Sequence, residues 1–511
     1  ADLKLTLPEL MLHIGAFRNA FELHRMTFLS EYYPRGIEQD EHTLPEPNLH
    51  LWTEMLAEGT ASDTVVDDVA IFSIDDSATT EIDDAFSVQQ IEDHVYRIGI
   101  HIAAPALSVT RDDVADQHAV SRMSTLYMPG EKVTMLPDHW VEAFSLDEGT
   151  VHPVVSLYTT FHTERAPSEA FTDVETRVER ICITENLRHD TPQMQLNAAD
   201  LEGERADYPQ AQHLKVLWQG VQKLSAIRDA VRGKPENNNR ADFSYALDNP
   251  VGTVPAGDEC ITISQRMRGS PIDKIVSEWM IFANVQWACW LRDLRIPALF
   301  RTQSYIGVRT STHAQAHLAM GVPAYMWATS PLRRYADWLN QMQLLAAIRY
   351  GVTAPMKAPF QPKEADLLSR MSQFDEKYRA YAGQQNTMER YWCLRWVAQR
   401  MNEGVFDTQA IVIRENVLRL ADIPLYLNSM VPADMPLQSR VRVQLQDIDW
   451  VKLEVGVRVL GRIEGEPILD EAFEDLPEDE VIGAEVVGQM ATEVDAELPA
   501  QISVETPIEK L

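Results

Sequence analysis

The chain has 511 residues, an ordinary globular hydrophobic share of 45% and a formal net charge of −32. No stretch reaches the roughly 18 apolar residues that a membrane-spanning helix needs, and the four cysteines are scattered without a Cys-x-x-Cys pair. We therefore expect a soluble, cytoplasmic protein without a membrane anchor, disulfide framework or zinc site. The acidic balance also argues against a broad nucleic-acid-binding surface, so such a site has to be a local basic channel.

Residues 1–62 are predicted to form a helical N-terminal module. Six side chains follow one another at helical spacing and indicate one continuous helix face: Leu10, Ile14, Phe17, Phe21, His24 and Phe28. The Pro-Arg-Gly sequence at residues 34–36 ends this helix. Leu49, Trp52 and Leu56 indicate a second, short helix. Two arrangements remain open, a helix-turn-helix unit and a helical collar packed on the next domain.

Residues 63–403 are predicted to form one large α+β domain, because strands come first and long helices follow. The strands are predicted at 69–74, 95–102 and 154–161, and the helices at about 209–232, 273–295, 331–349 and 364–403. Short alternating segments at 404–462 predict a small β-barrel. Residues 463–511 carry 15 acidic side chains and one lysine, a composition typical of an acidic tail without stable structure.

Five acidic residues lie within ten positions, directly after a predicted strand: Asp75, Asp76, Glu81, Asp83 and Asp84. Carboxylates crowded in this way raise one another's pKa unless a cation lies among them. Mg²⁺ prefers oxygen ligands and commonly takes one or two carboxylates together with water and substrate phosphates. The cluster therefore indicates metal-assisted phosphodiester hydrolysis. The alternative is a solvated acidic loop.

The Ser-Pro-Leu-Arg-Arg sequence at residues 330–334 predicts an anion site. Ser330 is a good N-cap and Pro331 a good first helical residue, so a helix is expected to start here. Arg333 and Arg334 would then lie at the positive end of the helix dipole, where a bound phosphate relieves the conflict. The alternative is an ion pair between Arg333 and Asp337, one helical turn apart.

Five ordered segments resemble motifs of the ribonuclease II (RNB) family. They are Asp75 with Glu81-x-Asp83-Asp84, Tyr-Met-Pro-Gly (127–130) with Met-Leu-Pro (135–137), Val-Ser-Glu-Trp-Met-Ile-Phe-Ala-Asn (276–284), Thr-Ser-Pro-Leu-Arg-Arg-Tyr-Ala-Asp (329–337) and Met-Glu-Arg (388–390). The resemblance covers about residues 65–400 and is specific because the segments keep the family's order. The chain looks like a short bacterial-type member with a helical N-terminal module in place of cold-shock domains.

The resemblance implies an RNB catalytic domain followed by an S1-like barrel of OB fold. It implies a monomeric 3′-to-5′ exoribonuclease that binds single-stranded RNA and releases nucleoside 5′-monophosphates. Water activated by Mg²⁺, or by Mn²⁺ in its place, would attack the last phosphodiester. An S1-type barrel usually offers aromatic stacking platforms, and none is evident at residues 404–462.

The resemblance also implies roles for individual residues. Asp75, Asp84 and Asp83 would hold the metal, with Asp83 and Glu81 assisting catalysis. Arg333 would stabilise the charge that develops on the phosphate, and Tyr127 would touch the scissile end. The remaining predicted RNA-binding residues are Glu278, Arg334, Phe243, Tyr245 and Glu389. From the residues alone, Tyr127, Phe243 and Tyr245 could equally be core aromatics, and Glu278 and Glu389 ordinary helix acids.

Three positions depart from the family pattern. Glu81 stands where aspartate is usual, Ala104 follows His-Ile-Ala where the family has aspartate, and Gln341 with Met342 replaces a His-Arg pair. These losses motivate a second hypothesis, in which the chain is a catalytically silent RNB-fold protein that binds RNA or a partner. The surviving carboxylates and Arg333 favour the enzyme.

Overall fold

The computed structural model describes residues 5–37, 44–235, 241–250, 252–267, 269–304, 307–430 and 435–463. Helices and sheets are mixed throughout these residues, which confirms the predicted α+β class. None of their helices is long and apolar enough to cross a membrane. The predicted acidic tail lies, except for Ile463, outside the described residues.

Within residues 5–37 and 44–61, three helices precede the main domain: α1 (Leu7–His13), α2 (Ala20–Tyr32) and α3 (His50–Glu58). The predicted continuous helix face is wrong, because the chain turns at Gly15 with φ +75° and Asn19 caps a new helix by accepting a hydrogen bond from the Glu22 amide. Helix α2 is buried in a core that it shares with the C-terminal sheet, whereas α3 is buried in the main core. The helices therefore form a collar and share no core of their own.

A seven-stranded sheet carries the main domain. Its strands are β1 (Ser62–Val66), β2 (Ile71–Asp75), β3 (Asp84–Glu92), β4 (Val95–Ala103), β7 (Val151–His162), β8 (Phe171–Cys182) and β9 (Glu185–Arg188), and between β4 and β7 a separate hairpin is formed by β5 (Leu126–Met128) and β6 (Glu131–Val133). The order is β1-β8-β7-β4-β3-β2-β9, antiparallel except at the β1–β8 and β2–β9 edges. Since β2 and β3 are antiparallel neighbours, the end of β2 and the start of β3 lie at one edge of the sheet.

Seven further helices are described: α4 (Val114–Arg122), α5 (Asp138–Phe144), α6 (Ala198–Glu202), α7 (Ala211–Arg232), α8 (Pro271–Asp293), α9 (Tyr335–Tyr350) and α10 (Ala365–Ala398). Two more hairpins, β10 (Ala241–Leu247) with β11 (Ile261–Met267) and β12 (Phe300–Ser304) with β13 (Gly307–Ser311), lie between α7 and α9. Helices α7, α8 and α9 contribute buried faces to the main core, which includes Trp279, Trp287 and Trp338.

Helix α9 begins at Tyr335, not at Pro331 as the sequence predicted. Residues 331–333 form a turn, and Arg334 is extended (φ −138°, ψ 127°). The physical reason is tertiary, because Arg334 forms a β-bridge with Ser124 and the Thr125 amide donates to the Arg333 carbonyl at 2.9 Å. These long-range hydrogen bonds outweigh the local capping preference of Ser330.

The C-terminal strands form one antiparallel sheet in the order β16-β15-β14-β17-β18. They are β14 (Val405–Arg414), β15 (Val417–Leu420), β16 (Tyr426–Asn428), β17 (Arg440–Asp449) and β18 (Glu454–Arg462). Val441, Val443 and Leu445 alternate with exposed neighbours and are buried against the second core. The sheet curls into a half-barrel, in keeping with the predicted OB-type domain.

Candidate active site

Two carboxylates lie at the sheet edge where β2 ends and β3 begins. Asp75 is the last residue of β2, and its backbone lies opposite Arg188 in the neighbouring strand β9. Asp84 is the first residue of β3. Oδ2 of Asp75 is buried and makes no hydrogen bond to any group of the described residues. A buried carboxylate oxygen without a donor is costly unless a cation or another donor completes it.

The electrostatics of this pair show a deficit of positive charge. Burial raises the pKa of Asp75, against the pull of Ser73, Arg188 and Arg333. The pKa of Asp84 lies well above its ordinary value because of burial and the neighbouring charges of Asp75 and Asp83. Both shifts mean that the ionised pair lacks compensation within the protein.

The pair fits a hard divalent cation. No group of three or more His, Cys, Asp or Glu side chains is arranged to hold a metal ion in the part of the chain that the structure describes. Two carboxylates are nevertheless enough for Mg²⁺, which keeps several waters and takes substrate phosphate oxygens as further ligands. The unsatisfied oxygen of Asp75 and the repulsion between Asp75 and Asp84 are the features that such an ion would relieve.

Asp83 joins the carboxylate loop to the arginine turn. Its Oδ1 accepts a hydrogen bond from the Leu332 amide (2.8 Å), and its Oδ2 accepts one from Arg333 Nε (3.2 Å). Burial raises the pKa of Asp83 to about 7, although the Arg333 charge and the Leu332 amide pull it down. The sequence predicted Asp83 as a metal ligand, and the structure engages both of its oxygens with the arginine turn.

Arg333 is held at two points and still faces outward. Besides the bond to Asp83, its Nη2 donates to Ser330 Oγ at 2.9 Å. Its side chain remains 39% exposed. Burial acts to lower its pKa, but the charges of Asp83, Tyr127 and Asp337 leave the pKa above its ordinary value. Arg333 is thus a fixed positive charge directly beside the carboxylate edge.

Tyr127 lies against Arg333. The residue is 40% exposed. Burial and the charge of Glu81 raise the pKa of its hydroxyl, although the nearby Arg333 guanidinium acts to lower this pKa, so the hydroxyl stays protonated near neutral pH. Tyr127 is therefore an accessible aromatic group at the site and not a core residue.

Arg334 has a different environment from Arg333. It makes a two-point ion pair with Asp337, with Nε–Oδ2 and Nη2–Oδ1 distances of 2.8 and 2.9 Å. Its guanidinium also stacks on Trp327, 4.6 Å from the ring centroid. The predicted alternative pair between Arg333 and Asp337 is wrong, since Asp337 binds Arg334. Arg334, predicted to bind RNA, is already held by an internal carboxylate.

Glu81 points to the β5–β6 hairpin. It is 5% exposed, and its Oε1 accepts a hydrogen bond from Thr125 Oγ1 (3.1 Å) while its Oε2 forms an ion pair with Lys132 Nζ (3.1 Å). The extra methylene of glutamate, relative to the aspartate usual in the family, extends the carboxylate towards the hairpin. Its contacts are those of a residue that fixes the hairpin.

The other predicted RNA-binding residues are engaged in the interior to different degrees. Glu278 is buried on α8 and forms a two-point ion pair with Arg228 of α7. Phe243 and Tyr245 are half-buried and pack on the second core, where the Tyr245 hydroxyl lies 3.7 Å from Cys393 Sγ. Glu389 on α10 accepts a hydrogen bond from Gln385 (2.8 Å). Their RNA-binding roles remain predictions.

Two departures from the family pattern meet in space. Gln341 Nε2 donates to the Ala103 carbonyl (2.7 Å), and the Ala106 amide donates to Gln341 Oε1 (3.2 Å). Gln341 therefore braces the backbone on both sides of Ala104, which is fully buried. The backbone that follows β4 is therefore hydrogen-bonded to the Gln341 side chain.

The sequence analysis missed three residues that shape the site: Thr125, Lys132 and Arg228. The first two hold Glu81, and Arg228 holds Glu278. The available signal for Lys132 was its place in a hairpin beside the Tyr-Met-Pro-Gly turn, directly across from Tyr127. No local pattern marks Arg228, which lies 50 residues from Glu278.

Comparison with known proteins assigns the chain to a family. A family profile described as "RNB domain" matches residues 65–310 and 303–350, more than half of the chain. The chain belongs to the RNB-domain family. Its strands β2 to β9, Asp75, Asp84, the turn at residues 331–333 and helix α9 all lie within the matched residues.

Several curated proteins are similar to this RNB-family chain. An uncharacterized ribonuclease of Synechocystis is 24% identical over 364 residues, which are 65% of this chain and 49% of that protein. The chloroplastic/mitochondrial ribonuclease II of Arabidopsis thaliana is 23% identical, with 69% of this chain and 44% of that protein covered. Exoribonuclease 2 of Escherichia coli is 25% identical, with 63% and 57% covered. The chain spans about half the length of these relatives.

Solved structures share the fold. Mycoplasma genitalium RNase R, in complex with ribose-methylated single-stranded RNA, matches with a TM-score of 0.67 at 15% identity, covering 86% of this chain and 78% of that chain. Yeast Ssd1, described as a pseudonuclease, matches with a TM-score of 0.57 at 14% identity, covering 83% and 58%. The same fold therefore occurs in a ribonuclease and in a pseudonuclease.

Proposed function

We propose that this RNB-family chain is a metal-dependent exoribonuclease that degrades single-stranded RNA from its 3′ end and releases nucleoside 5′-monophosphates. The observation that carries the proposal is the juxtaposition of Asp75 and Asp84, two partly buried carboxylates with raised pKa values, with the partly exposed side chain of Arg333. Metal-assisted hydrolysis of a phosphodiester uses a site for a cation, and a fixed positive charge stabilises the charge that develops on the phosphate. The names of the relatives support RNA as the substrate.

Asp75, Asp84, Asp83, Arg333 and Tyr127 have different roles in the proposed reaction. Asp75 and Asp84 would hold Mg²⁺, and Mn²⁺ could replace it. When bound, the ion supplies charge neutralisation at the phosphate and lowers the pKa of water. Arg333 stabilises the negative charge that develops on the phosphate, and Asp83 keeps its guanidinium pointed at that place. Tyr127 presents an accessible ring and a protonated hydroxyl to the RNA end.

A nucleotide-release assay tests the proposal. Single-stranded RNA labelled at the 3′ end is incubated with the full chain, with Mg²⁺ or with a chelator. The expected result is early release of labelled mononucleotide that requires the metal. Asp84→Asn is expected to lower kcat by at least about 10³-fold, because several kcal/mol of charge stabilisation are lost, while RNA affinity is kept. Asp76→Asn is the matched control, since Asp76 is an exposed acid of the same loop.

One set of observations favours a second function, a catalytically silent RNA- or partner-binding protein. Glu81 and Asp83, two of the four acids in the motif, are engaged with Lys132 and Arg333. The likeness to a pseudonuclease points the same way. Tight RNA binding without any metal-dependent release would establish this function and exclude the enzyme.

A further inference from the structure

The β5–β6 hairpin carries Tyr127 into the site and is held from two sides. Tyr127 on β5 lies directly across from Lys132 on β6. Just before β5, Ser124 forms a β-bridge with Arg334, and the Thr125 amide donates to the Arg333 carbonyl. The hairpin is therefore joined to the arginine turn through the backbone, and its own position determines where the Tyr127 ring lies.

The outer attachment comes from the N-terminal collar. Arg25 of α2 makes a two-point ion pair with Glu131 of β6, with Nε–Oε2 and Nη2–Oε1 distances of 2.7 and 2.5 Å. The two side chains are only 16% and 9% exposed. Paired guanidinium–carboxylate bonds that are sheltered from water are strong and directional. Phe21 and Phe28 of the same helix are buried in the second core, so Arg25 is anchored.

The inner attachment comes from the carboxylate loop. Lys132, the neighbour of Glu131 in sequence, pairs with Glu81 Oε2 at 3.1 Å and also donates to Thr80 Oγ1. Adjacent residues of β6 thus point to opposite sides of the hairpin, as alternation along a strand requires. One is held by the collar and the other by the loop between Asp75 and Asp84.

We propose that Arg25 is a positioning residue for the reaction: through Glu131 it fixes the β5–β6 hairpin so that Tyr127 lies against Arg333, with the Lys132–Glu81 pair as the inner counterpart. The collar is then part of the catalytic apparatus, although none of its residues touches the substrate. This inference rests on the proposed function. It also accounts for glutamate at position 81, since the longer side chain contacts Lys132 and Thr125 simultaneously.

A double-mutant cycle tests the inference. Arg25→Gln is expected to lower kcat about 10-fold or more with KM changed less than about twofold, because small misplacements of a reacting group are costly. In the Tyr127→Ala background the same change is expected to have no further effect on kcat. An equal loss in both backgrounds, or no loss in the first, overturns the proposal. Arg18→Gln is the control, since Arg18 pairs only locally on the exposed surface of α2.

A charge-reversed pair guards against simple misfolding. Arg25→Glu combined with Glu131→Arg restores the ion pair in the opposite sense and is expected to recover most of the kcat that either single change loses. Failure to recover it in a folded double variant contradicts the proposal. If Arg25→Gln alone does not fold, this double variant decides the question.

Hydrogen exchange separates this inference from the proposed function. Amides of residues 126–133 are expected to exchange at least about 10-fold faster in Arg25→Gln than in the wild-type chain or in Arg18→Gln. Unchanged exchange overturns the positioning role whatever the activity. The wild-type chain could show no metal-dependent nucleotide release while Arg25→Gln still exchanges faster. That result would contradict the proposed function but would support the attachment of the hairpin by Arg25.

Discussion

The carboxylates of the main domain differ in how fully the protein compensates their negative charge. Asp337 is fully buried, binds both nitrogens of the Arg334 fork and accepts a hydrogen bond from the Ser330 amide at 2.9 Å. Asp75 and Asp84 are held at the sheet edge with raised pKa values, and one oxygen of Asp75 makes no hydrogen bond within the described residues.

The difference separates structural from functional charge. A buried carboxylate that the protein satisfies fully contributes to the fold and has little capacity left for a ligand. A pair that the protein leaves under-compensated costs stability, and the cost is tolerated where a ligand removes it. Arg333 and Arg334 repeat the contrast among the cations, because only Arg333 keeps a large exposed fraction, 39% against 16%.

The largest effect on stability is expected when Asp337, the fully compensated acid, is neutralised. Asp337→Asn leaves the Arg334 guanidinium buried without a counter-charge, so the free energy of unfolding is expected to fall by about 3–5 kcal/mol. Chemical denaturation measures it. Asp366→Asn is the comparison variant and is expected to cost less, because Asp366 is 40% exposed and its two arginine partners, Arg111 and Arg370, keep other carboxylates. Similar losses for the two variants would remove the structural assignment of Asp337.

Removing the exposed cation tests the functional side. Arg333→Gln is expected to lower kcat about 10²–10³-fold, because a preorganised charge at the phosphate is lost. Some stability is also expected to be lost, because the buried carboxylate of Asp83 loses its counter-charge. Steady-state kinetics and thermal denaturation are measured on the same preparation. A variant that loses stability but keeps kcat would place Arg333 with the structural group.

Neutralising a functional acid is expected to change stability in the opposite direction. The pKa of Asp84 is raised by folding, so its ionisation costs stability as pH rises through that pKa. In chelator at pH 8, Asp84→Asn is therefore expected to raise the free energy of unfolding relative to the wild-type chain. Saturating Mg²⁺ is expected to reverse the order, because only the wild-type chain gains the binding free energy. Lower stability of the variant in chelator would contradict the deficit of positive charge.

The smallest effect concerns a satisfied buried histidine. His101 is flanked by Ser156 and Ser87 at 2.8 and 2.9 Å, and burial lowers its pKa from 6.5 to about 3. The unfolded chain therefore takes up the proton first, and stability is lost as pH falls below 6.5. At pH 5.5 the loss is expected to be about 1 kcal/mol relative to neutral pH. His101→Gln should remove this part of the pH dependence, whereas His94→Gln, at a largely exposed position, should not.

Local patterns were sufficient for the long helices and for three strands of the main sheet. Helices α7, α8 and α10 are 22, 23 and 34 residues long, so their apolar periodicity was visible in the sequence. The strands β4 and β7 were predicted because each is a strand-like run of residues. The same reasoning failed at α1 and α2, where periodicity continued through a turn at Gly15, and at α9, where a pairing with Ser124 overrode a good N-cap.

Residue order and composition were enough to indicate the family, the α+β class and the short segments that carry the candidate site residues, because these depend on local patterns. Which acid faces which cation depends on the folded chain: Asp83 and Arg333 are 250 positions apart, and Glu81 and Lys132 are 51 apart. Such partners are selected by burial and packing, which no local pattern records. For that reason the attachment of Arg25 to Glu131 of the β5–β6 hairpin, 106 positions away, is visible only in the folded chain.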